Sequence, residues 1–174
     1  NLPVALILAL HIGKDHIEGL IEQLKLVSTL TVLVPTEGHV IRHHQLVVIP
    51  PDFRIEINQR GRLELFSTSA TKHLYNPCID DIMDAVAKRY HSHCGAIVFS
   101  GMGYDGVKGS RKILDHGGVV WCQSRESSVV SGMIDEITQL GIASFSADPH
   151  RLSKHFVHII QSKQQKTESG AAKP

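Results

Sequence analysis

The sequence predicts a doubly wound α/β domain with a mainly parallel sheet, helices on both faces and a small antiparallel hairpin. Short, continuously apolar segments alternate along the chain with segments whose apolar residues recur at helical spacing, as in repeated strand-helix units. The chain has 174 residues, of which 42% are hydrophobic. This length and composition suit one globular domain with a substantial core.

The first half of the chain alternates between predicted strands and one helix. Its predicted parallel strands are residues 4–10, 29–34 and 45–49. Residues 4–10 are apolar throughout, which is typical of a parallel strand covered on both faces. Asp15 is expected to cap a helix over residues 17–26. Residues 54–58 and 62–66 alternate strictly around a turn, which indicates a hairpin.

The second half repeats the strand-helix alternation and ends in a polar tail. Its predicted strands are residues 95–99, 119–122 and 142–145. Its predicted helices are residues 79–86, 106–115, 127–140 and 149–161. Because residues 162–174 lack apolar periodicity, we expect a domain over residues 1–161 and a disordered tail over residues 162–174.

Charge and cysteine content exclude several classes of function. The net charge of +1, from 18 basic and 17 acidic residues, gives no field that favours nucleic acid. The longest apolar run, residues 4–10, is far shorter than the roughly 20 residues of a membrane span. Three cysteines without C-x-x-C spacing favour neither disulfides nor structural zinc. We therefore expect a cytoplasmic protein with no metal, no cofactor, no nucleic-acid partner and no direct membrane insertion.

The most informative segment is residues 97–106 (IVFSGMGYDG), which contains G-x-G-x-x-G after a predicted strand. A dinucleotide site would place a phosphate at the start of the next helix and an acidic ribose ligand about 20 residues on. Asp105 instead puts a negative charge where the phosphate would bind, and the next strand ends without a carboxylate. These features argue against a nucleotide site.

Asp105 has a natural partner in His11, which follows another predicted parallel strand. Functional groups of open α/β sheets collect at the carboxyl ends of the strands. If the two strands are neighbours, Asp105 can fix the tautomer of the His11 imidazole, as the carboxylate of a hydrolase triad does. The simpler alternatives are a helix cap or Asx turn for Asp105 and an ordinary strand-end histidine for His11.

Several segments together resemble one family. Residues 100–106 (SGMGYDG) are similar to the [ST]-G-M-G-x-D-G turn of CheB-type chemotaxis protein-glutamate methylesterases. Residues 8–12 (LALHI) resemble the family's strand ending in Q-H-M-P, and residues 77–80 (PCID) resemble its P-S-V-D. Residues 123–133 (QSRESSVVSGM) resemble Q-D-E-x-S-x-V-V-x-G-M. Each match is weak alone, and their common order makes the set specific.

The resemblance implies hydrolysis of glutamate methyl esters on chemoreceptors, with glutamine deamidation as a related activity. It makes His11 the general base and Asp105 its orienting carboxylate, and it gives the backbone near Met102 a supporting role toward substrate or oxyanion. The family's nucleophilic serine falls upstream of Asn1, so this chain is expected to lack the first strand-helix unit and to be inactive alone.

The implied partners are the methylated cytoplasmic helices of chemoreceptors and an upstream receiver domain. The family's A-P-G-D-x-H stretch is replaced here by residues 49–54 (IPPDFR), which departs from the usual pattern. A degenerate, non-catalytic adaptor that binds chemoreceptors or a signalling partner is therefore the alternative function.

Overall fold

The structure is a computed structural model that describes residues 3–68 and 76–170. Within these residues the chain forms two three-stranded parallel sheets, a two-stranded antiparallel sheet and flanking helices. The predicted α/β class, mainly parallel with one antiparallel hairpin, is confirmed. The parallel strands are divided between two sheets rather than joined in one, because the described residues include no strand that bridges the two groups.

The first parallel sheet contains β1 (Leu6–Leu8), β2 (Thr31–Leu33) and β3 (Gln45–Val48). Strand β3 lies in the middle and pairs with both neighbours, and helix α1 (Ile17–Val27) connects β1 to β2. Val47 and Val48 of the central strand are fully buried, whereas all residues of β1 are half-buried. Among the described strands, β1 is therefore an edge with one open side.

The predicted hairpin is β4 (Phe53–Ile57) paired antiparallel with β5 (Leu63–Ser67). The Asn58 side-chain oxygen accepts the backbone N–H groups of Arg60 and Arg62, which closes the turn between the strands. Apolar residues of β3, of this hairpin and of helix α2 (Ile79–Tyr90) share one core cluster. The hairpin thus belongs to the same packed unit as the first sheet.

The second parallel sheet contains β6 (Gly95–Val98), β7 (Val119–Gln123) and β8 (Phe145–Ala147). Strand β7 is central, and helices α3 (Val107–Asp115) and α4 (Gly132–Gln139) contribute to the core beside it. Strand β6 pairs with β7 and with no other described strand. Like β1, it has an open side.

Helices α2 and α3 approach each other closely at Gly109. A Cβ atom added to Gly109 would lie 2.7 Å from the Met83 Cβ and 2.9 Å from the Asp80 Cα. Both distances are shorter than real Cβ contacts, so no side chain fits here without a shift of the helices. Gly109 thereby sets the spacing of the helices whose first turns adjoin the site described below.

Three expectations about helices differ from the structure, and the last predicted strand, residues 142–145, lies instead at Phe145–Ala147. Asp15 lies within a 3-10 turn (Lys14–His16) that directly precedes α1, so the N-cap position of α1 falls to His16, and α1 has no side-chain cap. Helix α4 begins at Gly132 instead of residue 127, since residues 125–127 form a separate 3-10 turn.

The third difference concerns the tail. Helix α5 (Pro149–Gly170) continues well past residue 161, where the domain was expected to end. Leu152 is buried against the second sheet, and the following glutamines and lysines are good helix formers. A helix nucleated by this packing propagates at little cost into such residues. Residues 171–174 of the predicted tail lie outside the described part of the chain.

No helix within residues 3–68 and 76–170 combines the length and the apolar character that crossing a bilayer requires.

The close approach at Gly109 predicts opposite effects for two glycine substitutions. Gly109→Ala should lower the free energy of unfolding by about 1 to 3 kcal/mol, because the new methyl group overpacks the interface between α2 and α3. The matched change Gly19→Ala in α1 meets no atom within 4 Å and should leave stability unchanged or raise it by up to about 1 kcal/mol. Urea unfolding of both variants checks this, and equal effects would contradict the packing argument.

Candidate active site

His11 and Asp105 meet at the carboxyl ends of two strands that belong to different sheets. His11 follows β1, and Asp105 lies in the turn between β6 and α3. The His11 Nε2–H donates a hydrogen bond of 2.7 Å to Asp105 Oδ2, although 94 positions separate the two residues in sequence. The structure thus brings together the two residues that the sequence singled out.

The carboxylate of Asp105 is buried and the imidazole of His11 is accessible. The Asp105 side chain is 5% exposed and the His11 side chain is 31% exposed. A buried carboxylate needs donors on its oxygens, because burying a charge without partners is costly. The His11 imidazole, by contrast, keeps part of its surface in contact with solvent.

Backbone N–H groups supply the donors that Asp105 needs. Asp105 Oδ2 accepts the N–H of Ile79 at 2.8 Å, and Oδ1 accepts the N–H of Asp80 at 2.9 Å. Both donors belong to the first turn of α2, whose N–H groups have no partner within the helix. Asp105 therefore caps α2 from across the site, and the positive end of that helix favours the charged carboxylate.

The cap role considered for Asp105 in the sequence is thus present, but on another helix. Helix α3, which follows Asp105 directly, begins at Gly106 and has no side-chain cap of its own. Its first N–H groups are bound by Asp80 instead: Asp80 Oδ1 accepts from Gly106 at 2.9 Å and from Gly109 at 2.6 Å. Burial and the nearby charge of Asp105 raise the pKa of Asp80, while these N–H groups oppose the shift.

These contacts also decide against a nucleotide in the glycine-rich turn. In a dinucleotide site, the N–H groups at the start of the helix after the turn bind a phosphate. Here the carboxylate of Asp80 already occupies the N–H groups of Gly106 and Gly109. A phosphate would have to displace one negative group and lie beside another, Asp105.

The glycines of the turn serve its shape. Gly103 and Gly106 have φ angles of +85° and +119°, which side chains rarely adopt. A Cβ at Gly101 or at Gly106 would lie 3.2 Å from the thioether of the buried Met133. The backbone of the turn can therefore pack directly against Met133 while the Asp105 side chain contacts His11.

Gln123 holds the same turn from the end of β7. Its side chain is buried, and its Oε1 accepts the N–H of Ser100 at 3.0 Å. Its Nε2 donates to the Ser127 carbonyl at 2.7 Å, and the Gly101 N–H donates to the Val130 carbonyl at 3.3 Å. These bonds tie the loop after β6 to the loop after β7.

Met102 lies on the rim that these two loops form. Its side chain is 80% exposed, and Phe99, Tyr104 and Val129 are exposed on the same loops. Exposed apolar residues that cluster beside a polar site mark surfaces that bind other molecules.

Cys78 is a site residue that the sequence patterns did not indicate. It is half-buried at the N-cap of α2, and its Sγ lies 3.6 Å from Asp105 Oδ1. Burial raises the pKa of the Cys78 thiol to about 11, and the charge of Asp105 adds to the shift. The thiol is therefore protonated at neutral pH and donates to Asp105 rather than acting as a nucleophile.

Among the residues that the structure describes, the other histidines do not assemble into a metal site. The His91 and His116 rings stack with centroids 5.7 Å apart. No group of three His, Cys, Asp or Glu side chains within the described residues is arranged to hold a metal ion. His43 and His44 precede β3, at the opposite end of the sheet from His11.

An α/β domain that presents a carboxylate-bound histidine at the carboxyl edge of its strands has the same arrangement as the histidine and carboxylate of a hydrolase triad. In agreement with this class, residues 1–156 match the family model described as CheB methylesterase, so the chain belongs to the CheB methylesterase family.

Relatives and a solved structure extend this match over nearly the whole chain. The chain is 28% identical to a protein-glutamate methylesterase/protein-glutamine glutaminase of Desulfitobacterium hafniense, covering 92% of this chain and 42% of that protein. A Methanospirillum hungatei protein of the same name is 30% identical, with 93% and 46% covered. The chain therefore spans less than half the length of these relatives.

The solved structure is that of the Thermotoga maritima CheB methylesterase catalytic domain. It matches with a TM-score of 0.79 at 26% identity and covers 90% of this chain and 83% of that one. The fold described above is thus that of a known catalytic domain.

The raised pKa of Cys78 predicts low reactivity toward alkylating reagents. In a Cys94→Ser/Cys122→Ser background, iodoacetamide should modify Cys78 roughly a hundredfold more slowly at pH 8 than it modifies an unhindered thiol. The rate should keep rising with pH up to about pH 11, because the thiolate is the reacting form. Mass spectrometry of timed samples measures this, and a rate that levels off near pH 8 or 9 would contradict it.

Proposed function

We propose that this chain supplies the histidine and the aspartate of a protein-glutamate methylesterase that hydrolyses glutamate methyl esters on chemoreceptors. Deamidation of receptor glutamines is the second activity of the same site, as the relatives' names suggest for them. The single observation that supports this most strongly is the 2.7 Å hydrogen bond between His11 Nε2 and Asp105 Oδ2 in a member of the CheB methylesterase family.

In this proposal His11 is the general base and then the general acid. Because Nε2 carries the proton that Asp105 accepts, the basic lone pair of the neutral imidazole is on Nδ1. Nδ1 takes the proton of a serine hydroxyl as that oxygen attacks the ester carbonyl, and later gives it to the methoxy oxygen as the C–O bond breaks and methanol leaves. Asp105 stabilises the imidazolium that forms between these two steps. Water then repeats the sequence on the acyl-enzyme and releases the glutamate.

The serine is proposed to lie outside this chain, on a segment that precedes it in the full-length protein. The open sides of β1 and β6 support this, because His11 and Asp105 follow these two strands and contact each other. A parallel strand between them would end beside the His-Asp pair. The short coverage of the relatives also supports it, since they are more than twice as long as the matched region.

The turn beside Asp105 is proposed to stabilise the oxyanion. Backbone N–H groups that are held rigidly near a reacting carbonyl are effective donors for the tetrahedral intermediate. The backbone at Met102 lies in the turn that Gln123 and Met133 support, which favours this role for it.

The partners we propose are the methylated cytoplasmic helices of chemoreceptors and, upstream in the same protein, a receiver domain. A cytoplasmic location follows from this substrate. The exposed apolar residues Phe99, Met102, Tyr104 and Val129 give the rim an apolar surface for a receptor helix, and the net charge of +1 supplies no field for nucleic acid. The mechanism uses no metal and no cofactor.

Substitution of the pair tests the mechanism in the full-length protein. Asp105→Asn should lower kcat for methanol release from methylated receptor by roughly 10⁴-fold, because the imidazolium loses its counter-charge and the histidine its tautomer. His11→Ala should lower kcat by at least as much, because the serine loses its base. The assay is release of methanol from receptor membranes that carry labelled methyl groups.

Two exposed residues of the same types serve as controls. His43→Ala lies at the opposite end of the sheet and Asp115→Asn lies at the end of α3, so both should retain wild-type rates. Wild-type rates of methanol release in all four variants would refute the roles of His11 and Asp105. A wild-type protein that binds receptor without releasing methanol would instead identify the non-catalytic adaptor.

A further inference from the structure

The first turns of α2 and α3 face each other, and the N–H groups of each turn bind an aspartate carboxylate from the other side. Asp105, just before α3, binds the N–H groups of Ile79 and Asp80 in α2. Asp80, in the first turn of α2, binds the N–H groups of Gly106 and Gly109 at the start of α3. Each helix is therefore capped by a side chain that the other helix or its preceding turn provides.

This reciprocal capping restrains the backbone of the turn that carries Asp105. Gly106 is the next residue in the chain, so the bond from its N–H to Asp80 Oδ1 restrains the peptide unit that carries Asp105. The bond from Gly109 to the same oxygen, at 2.6 Å, restrains the first turn of α3. The close approach of α2 at Gly109 makes this bond short, because no side chain separates the helices there.

An ordinary helix cap does not require this arrangement. A residue at the start of α3 would cap it locally, yet Gly106 has a φ angle of +119° and no side chain. The capping carboxylate comes instead from another helix and is itself tied to Asp105 through the Asp80 N–H. The carboxylates of Asp80 and Asp105 lie near each other in this arrangement, and the four backbone N–H groups that donate to them offset their repulsion.

We propose that Asp80 is a positioning residue of the active site, which keeps the Asp105 carboxylate aimed at His11. This inference rests on the proposed function of the His11–Asp105 pair. This role depends on the position of the acceptor oxygen of Asp80 and not on its charge, because Oδ1 accepts hydrogen bonds from two backbone N–H groups.

Two substitutions of Asp80 separate geometry from charge. Asp80→Asn keeps an acceptor oxygen at the same distance from the backbone and removes the charge. Asp80→Glu keeps the charge and moves the acceptor by one methylene group. Asp84→Ala, which removes a carboxylate paired with Lys88 elsewhere on α2, is the matched control. None of these changes removes the side chain of Asp80 altogether, so the fold has little cause to fail.

The direct readout is the state of the His11 ring nitrogens in long-range ¹H–¹⁵N spectra of the full-length protein, taken from the alkaline end of a pH series where the spectra no longer change with pH. One nitrogen should be protonated and the other unprotonated in the wild type, in Asp80→Asn and in Asp84→Ala, because Asp105 holds one tautomer. In Asp80→Glu the two nitrogens should shift toward an average of both tautomers. This readout needs no catalytic activity, so it judges Asp80 even if the wild type releases no methanol and the proposed function fails.

The kinetic readout is methanol release by the same proteins. Asp80→Glu should lower kcat by roughly 10- to 100-fold with little change in KM, since a small misplacement of a catalytic group has an effect of this size. Asp80→Asn should stay within about threefold of the wild type. The proposal is overturned if Asp80→Asn is as defective as Asp80→Glu, or if Asp80→Glu leaves the His11 nitrogens unchanged.

Discussion

The Asp105 carboxylate is the group on which the site depends. It is buried, and its oxygens accept from the His11 imidazole, from two N–H groups of α2 and from the Cys78 thiol. Burying a carboxylate without such donors would cost free energy of folding, so the site requires that these donors stay close to Asp105. The end of β1, the start of α2 and the turn after β6 are thereby held together by one side chain.

The surrounding residues maintain the position of that carboxylate. The glycine-rich turn adopts φ angles that few other residues tolerate and packs against Met133. Gln123 accepts a hydrogen bond from the N–H of Ser100, at the start of the turn. Asp80 fixes its last residue from α2. Rigid support of this kind would limit the reorganisation around the imidazolium that the proposed mechanism forms. The His11 imidazole, in contrast, is partly exposed at the surface.

Much of this arrangement was predictable from sequence, and the exceptions have physical reasons. The contact of His11 with Asp105 was predicted from the rule that functional groups collect at the carboxyl ends of parallel strands, since His11 follows β1 and Asp105 lies in the turn after β6. The rule did not predict that β1 and β6 lie in different sheets, and the catalytic roles of the two residues remain a prediction. Asp80 and Cys78 were missed because their roles depend on how α2 meets α3. The available signal was the segment 77–80 (PCID), which resembles the family's P-S-V-D and contains both residues. The length of α5 was missed because helix propagation from a packed turn leaves no apolar pattern.

The central claim is that the His11–Asp105 pair activates a serine of the full-length protein. Phenylmethanesulfonyl fluoride measures this directly, because it sulfonylates serines whose hydroxyl is activated by a neighbouring base. The account predicts that peptide mass spectrometry finds one modified serine in the segment that precedes this chain, and that His11→Gln slows its modification by at least about 100-fold. Modification that proceeds at the same rate in wild type and His11→Gln, or no modification of any serine, would contradict it.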